Sequence, residues 1–298
     1  MSDHLSKAAL KQLGKRLRAT VSSEDLDLLD DYRRRFDPSL ISMNASLVET
    51  IRSLGVDALV SGRIKRTKSI VRKLQREASM DLSRMTDVAG LRVVVRTMED
   101  QAKVMPAIEA LVEKPRLLDR RTEKSGYRSV HITGLNDNLP IEIQLRTIPQ
   151  QVWANESESL GEQVKEGGGT RHEQEYLQEL SVAISKIEQE RDGKTPNLTH
   201  ALAISRRPFE YRLPWVETKF EEAIAKIDKS EVSSELLIFD GETSDIIKSL
   251  KFHASERILA LEEFERLSRE LDPVRYDVLI LNTTSHAALC VTHPRFYL

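Results

Sequence analysis

The chain has 298 residues, 40% of them hydrophobic and 31% charged, and 45 Lys and Arg stand against 47 Asp and Glu for a formal net charge of −2 at pH 7. That length holds two ordinary domains with a core each, while the charge balance excludes a generally basic nucleic-acid binder. No apolar run approaches the roughly 20 residues that span a bilayer, the first residues lack the apolar stretch of a secretory signal, and a lone cysteine, Cys290, permits no internal disulfide and fits a reducing, cytoplasmic setting.

Residues 4–18 carry helical spacing, and 23–53 form one or two further helices through Leu26, Leu29, Tyr32, Leu40, Met43, Leu47 and Ile51. Gly55 and Gly62 read as turns that bracket the entry to a basic helix over about 67–77. The run SGRIKRTKSIVRKLQRE (61–77) places seven cations, Arg63, Lys65, Arg66, Lys68, Arg72, Lys73 and Arg76, ahead of its first acid, Glu77. In a charge-balanced chain such a block is a local device. A helix start with fixed cations and Ser69 beside it makes a phosphate cradle; a solvated helix face is the plain alternative.

DVAGLRVVV (87–95) predicts a turn into a buried strand, 98–113 an amphipathic helix, and 117–121, 127–135 and 140–147 three more strands. Helices follow over 148–163 and 172–190, parted by the glycines at 167–169. Three prolines and a loss of periodicity across 191–214 place a boundary there: a catalytic domain over 1–195, a linker over 196–214 and a second domain over 215–298. The second part reads as a helix (215–228), a hairpin turning at Asp240-Gly241, a helix (254–271), the strand YDVLILN and a short helix (284–291). The expected fold class is α+β: a mixed, mostly antiparallel sheet of about five strands flanked by helices, with a small C-terminal α+β domain.

Strand alternation sorts the middle of the chain into two faces. Ile141, Ile143 and Leu145 oppose Glu142, Gln144 and Arg146, and Tyr127, Ser129 and His131 oppose Arg128, Val130 and Ile132. If these strands share a sheet, one face gathers Asp87, Arg92, Tyr127, His131, Glu142 and Arg146. Separated carboxylates, cations and an aromatic are what a magnesium–nucleotide site needs; ordinary cross-strand ion pairs on a solvated face are the other reading.

The segments GRIKRTKSI..KL, LSRMTDVAGLRVVV, GYRSVH and IEIQLRT..Q..WA, in this order and spacing, resemble the synthetase domain of RelA/SpoT-type alarmone synthetases over about residues 60–165. The resemblance implies transfer of the β,γ-pyrophosphate of ATP to a ribose 3′-hydroxyl with Mg²⁺ as cofactor. It implies that Arg63 and Arg92 sandwich the adenine, and that Lys65, Ser69 and Lys73 hold the phosphates. It makes Asp87 and Glu142 the Mg²⁺ ligands, with Glu142 also the base for the attacking hydroxyl. Tyr127 then stacks on the acceptor base and His131 places the acceptor, with Arg128, Gln144 and Arg146 beside them.

Within that family the chain is most similar to the small toxic synthetases of the fused CapRel-like group, in its short DRRTEKS segment before Gly126 and in its C-terminal HPRFY (293–297). His293 stands where that group usually has Tyr, and Gln151 where it commonly has His. This resemblance implies a growth-arresting toxin that pyrophosphorylates the 3′ CCA end of tRNA. Its own C-terminal domain would restrain it through Pro294, Phe296 and Tyr297, with a phage protein as trigger. Arg120, Arg121, Lys124 and Arg128 are the candidates for holding the RNA end. A GDP/GTP pyrophosphokinase that makes alarmones is the alternative, and a catalytically silent nucleotide sensor is a reading of another class. Residues 1–60 are too few for the family's hydrolase domain, so hydrolysis is not expected.

Overall fold

The computed structural model describes residues 6–160, 164, 168–190, 213–226, 232–240, 243, 245–272 and 275–294. Three helices lead, α1 (Lys7–Ala19), α2 (Ser23–Arg34) and α3 (Phe36–Ser53), followed by β1 (Ala58–Ile64) and the basic helix α4 (Thr67–Arg76). Then come β2 (Ala89–Val95), α5 (Met98–Ala110), β3 (Glu113–Asp119), β4 (Val130–Asn136), β5 (Leu139–Thr147), α6 (Ile148–Ser159) and α7 (Arg171–Glu190). The C-terminal part holds α8 (Leu213–Ala225), β6 (Val232–Asp240), β7 (Ile246–His253), α9 (Arg257–Glu270), β8 (Tyr276–Thr283) and α10 (His286–Thr292). Among the described residues no helix is long and apolar enough to cross a membrane.

Side chains close the helix starts where the sequence provides a hydroxyl. Ser6 and Ser22 accept the N–H groups of Ala9 and Asp25, and Thr97 and Thr147 form capping boxes with Asp100 and Gln150. Helix α4 differs: its cap residue is Arg66, and no side chain caps it. Its first turn faces the cleft described below.

The strands form one mixed sheet in the order β3-β4-β5-β2-β1-β8-β6-β7, antiparallel except for β2 with β5. The fold is α+β, as the element pattern predicts. Period-two alternation inside apolar runs feeds both faces. Val60, Leu91, Val93, Val95, Ile143 and Leu145 pack with Leu40, Leu47 and Ile51 of α3 on one side. Leu59 and Val94 meet Val152, Phe220 and Val291 on the other.

Three sequence readings change. Residues 58–64, expected as an approach between two turns, form β1. Gly55 does turn, with φ +65°, but Gly62 is a strand residue: a Cβ there would stand 3.2 Å from Leu40 and 3.3 Å from Leu91. Glycine at 62 serves the close approach of α3 to the sheet. The strand expected at 117–121 begins earlier, at Glu113, because EKPRLLD is a largely exposed edge with no apolar alternation to mark it. The sheet of about five strands expected for the first part is continued by β8, which pairs antiparallel with β1 through Ser61 and Thr283, Gly62 and Asn282, and Arg63 and Leu281. The expected hairpin is present as β6 and β7; its Gly241 and most of the expected linker lie outside the described residues.

Candidate active site

Glu142, Gln144 and Arg146 alternate with the core residues Ile141, Ile143 and Leu145, so they project from the opposite face of β5. On that side a cleft of about 450 Å³ opens between α4, the sheet and the turn that precedes β4.

One wall is cationic. Lys65, at the exit of β1, and Lys73 on α4 converge on Asp87, with Lys65 Nζ 2.6 Å from Oδ2 and Lys73 Nζ 3.0 Å from both oxygens. Ser69 lies one turn before Lys73 on the same helix face. Burial would raise the Asp87 carboxyl, but the two ammonium groups outweigh it and hold it down at about 2. Burial pushes Lys65 below its ordinary value in spite of Asp87. Two ammoniums on one carboxylate, with Arg63, Arg72 and Arg76 also lining the cleft, leave a local positive excess beside an uncapped helix start. That arrangement has the charge and the geometry to hold a polyanion.

The other wall is a chain of hydrogen bonds. His131 Nδ1 is 2.9 Å from Glu142 Oε1, and its Nε2 is 2.7 Å from the Tyr127 hydroxyl. Gln144 donates to Glu142 Oε2 at 3.0 Å. Arg146, fully buried beneath them, donates to the Tyr127 oxygen (3.1 Å), Gln144 Oε1 (2.8 Å) and Gln151 Oε1 (3.0 Å).

Burial opposes the charge on His131, but Glu142 and Tyr127 outweigh it and hold the imidazole above its ordinary value. Burial likewise opposes the charge on Glu142, and His131 and Gln144 outweigh it to hold the carboxyl below its own. The pH consequence follows in sign. The stabilisation from His131 is complete below the ordinary imidazole value of 6.5 and is lost as pH rises through its raised value. That from Glu142 is complete above 4.5 and is lost as pH falls through its lowered value. The pair contributes most between those limits. NMR titration of His131 should give a value above 6.5, and in Glu142→Gln it should drop, because burial then loses its main opponent. An unchanged His131 titration in that variant would mean that the two groups are not paired in solution.

The third boundary comes from the C-terminus. Arg92 donates from Nη1 to the carbonyl of Thr292, at the end of α10, and from Nη2 to Glu158 at 2.6 Å. Gln151 donates to the Val291 carbonyl at 3.3 Å. His293 lines the cleft fully buried, with Nδ1 3.0 Å from Thr292 Oγ1, and burial holds its imidazole well below the ordinary value.

The structure therefore brings Arg63, Lys65, Ser69, Lys73, Asp87, Arg92, Tyr127, His131, Glu142 and Gln144 to one cleft. It does not bring Arg128 there: Arg128 donates to the carbonyl and hydroxyl of Ser181 and to the Arg121 carbonyl, tying α7 to the turn before β4. Arg146 shares the predicted face but lies under the surface, where it orients Tyr127 and Gln144. Pro294 is buried next to His293, while Phe296 and Tyr297 lie outside the described residues. Tyr127 is 9% exposed, edge-on to Trp153, with the Arg120 guanidinium 4.6 Å from its ring centroid. Sequence reasoning missed the cleft roles of Glu123, Ser125 and His293. The sharp turn at Gly126 was the available signal for the first two.

Residues 62–161, about a third of the chain, match the family described as "Region found in RelA / SpoT proteins". The chain is 27% identical over 167 residues to an uncharacterized protein of Mycobacterium tuberculosis, a match that covers 52% of this chain and 58% of that protein. It therefore spans little more than half the length of the curated relatives it matches. Among solved structures it is similar to small alarmone synthetase 1 from Bacillus subtilis bound to its product pppGpp, at 25% identity and a TM-score of 0.46, over 54% of this chain and 95% of that one. It is also similar to a GTP pyrophosphokinase family protein from Streptococcus pneumoniae, at 23% identity and a TM-score of 0.45, over 57% and 92%. The matched region contains the basic helix α4 and the strands β2, β4 and β5 that border the cleft.

Proposed function

We propose that the chain is an ATP-dependent pyrophosphotransferase that moves the β,γ-pyrophosphate of ATP to the ribose 3′-hydroxyl of GDP or GTP. The observation that carries this reading is that the Lys65–Asp87–Lys73 cluster and the His131–Glu142 pair face one cleft. The first binds polyphosphate and the second handles a hydroxyl.

On this reading Lys65, Ser69, Lys73 and the open start of α4 hold the phosphates, with Arg63 and Arg92 on the adenine. Asp87 and Glu142 supply two hard oxygen donors. Mg²⁺ takes one or two carboxylates and fills the rest of its shell with phosphate oxygens and water. Bound there, Mg²⁺ would neutralise charge on the phosphate oxygens. The 3′-oxygen forms a bond to Pβ, the bond from Pβ to the oxygen bridging Pα breaks, AMP leaves with that oxygen, and Glu142 takes the hydroxyl proton. A carboxylate held below its ordinary value is a weak base, so alignment and charge neutralisation carry the rate.

The tRNA end expected from the toxin resemblance has less support. Of its basic candidates, Arg120 pairs with Glu123, Arg121 with Asp119, and Arg128 is bonded to Ser181 and Arg121. We also propose that the segment from 215 onward acts as a restraint, because its α10 end occupies Arg92, and that a partner drawing it away would be the trigger. Incubation with γ-labelled ATP and GDP, GTP or tRNA tests the reading: label should appear in a guanosine product with one AMP released per transfer. Label on tRNA alone, or ATP binding without turnover, would overturn it.

A further inference from the structure

The turn between β1 and α4, which carries Lys65 into the cleft, is gripped from behind by one side chain. Arg33 lies on α2 and is 3% exposed. A buried guanidinium is costly unless its donors are bonded, and the bonds of Arg33 converge on one short stretch of chain. Nε donates to the Lys65 carbonyl at 2.8 Å, and Nη1 donates to the Thr67 hydroxyl at 2.6 Å and to Asp30 Oδ1 at 2.7 Å. The Thr67 hydroxyl donates to the same Asp30 oxygen at 2.5 Å, which closes a triangle of side chains over the first residue of α4. Nη2 has no hydrogen-bond partner among the described residues; Asp277 of β8 stands 4.0 Å from it. The grip therefore belongs to α2 and the turn, and β8 adds charge without a bond.

The front of the turn is fixed too. The Lys65 N–H donates to the Val88 carbonyl at 2.8 Å, one residue from Asp87. Both main-chain groups of Lys65 are thus committed, and its ammonium reaches Asp87 from a set origin. Thr67, Ser69 and Lys73 ride on one helix, so a shift of Thr67 carries Ser69 and Lys73 with it. Charge-assisted bonds to phosphate oxygens form at about 2.7–2.9 Å, and a misplacement of about 1 Å can cost about 10²-fold in rate. Arg33 itself does not line the cleft.

We infer that Arg33 is a positioning residue for the nucleotide phosphates: through the Lys65 carbonyl and the Thr67 hydroxyl it sets the spacing between Lys65 and the start of α4. The inference rests on the reading of the cleft as a polyphosphate site and adds the residue, outside the cleft, on which its geometry depends. Position rather than charge is the contribution. A lysine at 33 keeps the charge, but its single ammonium cannot reproduce the planar fork that holds the Lys65 carbonyl, Thr67 and Asp30 together.

The test is equilibrium binding of inorganic tripolyphosphate to the full chain, with label transfer from ATP to GDP followed in parallel. Arg33→Lys should weaken tripolyphosphate by about 10-fold or more. Thr67→Val, which keeps the shape and removes the hydroxyl, should weaken it by about 3-fold, and Thr67→Ser should restore what Thr67→Val loses. In transfer, Arg33→Lys should raise the KM for ATP and leave that for GDP in place. The His131 titration reports the opposite wall and should match wild type in every variant, which a general loosening of the fold would not allow.

Unchanged tripolyphosphate affinity in Arg33→Lys, equal losses in Thr67→Val and Thr67→Ser, a displaced His131 titration, or a wild type that does not bind tripolyphosphate would overturn the assignment. The two readings fail separately. A selective loss of tripolyphosphate in Arg33→Lys, with no label transfer by wild type, sinks the transferase alone. Transfer by wild type with unaltered tripolyphosphate affinity in Arg33→Lys sinks the positioning role alone.

Discussion

Glu142→Gln is expected to lower pyrophosphate transfer by about 10³-fold or more while the protein stays folded. The change keeps side-chain volume and lets the amide oxygen continue to accept from His131, so the cost to stability should be about 1 kcal/mol, the scale of one altered hydrogen bond. Activity loses two things at once. General-base assistance is worth about 10²–10⁴ in rate, and a charged oxygen donor in the cleft is lost as well. Label transfer under saturating ATP and GDP, with a thermal melt on the same sample, checks both halves. Retention of more than a tenth of the wild-type rate would remove Glu142 from the chemistry, and a collapsed melt would make it a structural residue.

Removing the C-terminal end should act in the opposite direction. Arg92 donates to the Thr292 carbonyl as well as to Glu158, and His293 walls the cleft behind it. Deletion of 293–298 takes away the buried imidazole but leaves Thr292 on Arg92, now with a terminal carboxylate. Deletion of 291–298 removes both. If the restraint competes with ATP, the apparent affinity of ATP scales with the fraction of molecules in which the segment is displaced. The longer deletion should then lower the KM for ATP by about 10-fold or more with little change in kcat, and the shorter one should do less. Val291 is fully buried, and its loss should cost about 1–3 kcal/mol. A lower melting temperature without a lower KM would mean that α10 only closes the core around Phe220.

How much of this was legible in sequence follows from what periodicity encodes. Alternation in β5 assigned Glu142 and Gln144 to the cleft face and Ile143 to the core, because a strand has only two faces. It could not assign depth. Arg146 shares the parity of Glu142, yet it lies a layer lower, and only its partners Tyr127 and Gln151 reveal that. β1 escaped because Ala58, Leu59 and Val60 are a short run followed by a glycine and cations that mimic a turn. Its strand character comes from β2 and β8 on either side. Glu123 lies in an irregular turn with no period to read. The contact of Arg92 with Thr292 joins residues 200 positions apart, beyond any local signal.

The pairing of β8 with β1 also sets an order in time. The strands that carry the cleft end at Thr147, and the strand that covers the free edge of β1 ends at Thr283. At about 5–20 residues per second of synthesis, the ribosome needs on the order of 10 s to make the chain between them. During that interval the nascent protein holds the residues that line the cleft without the segment that bonds Arg92, and β1 offers an unpaired backbone edge. Each newly made molecule thus passes through a phase in which the residues of the cleft are present before the α10 end that bonds Arg92.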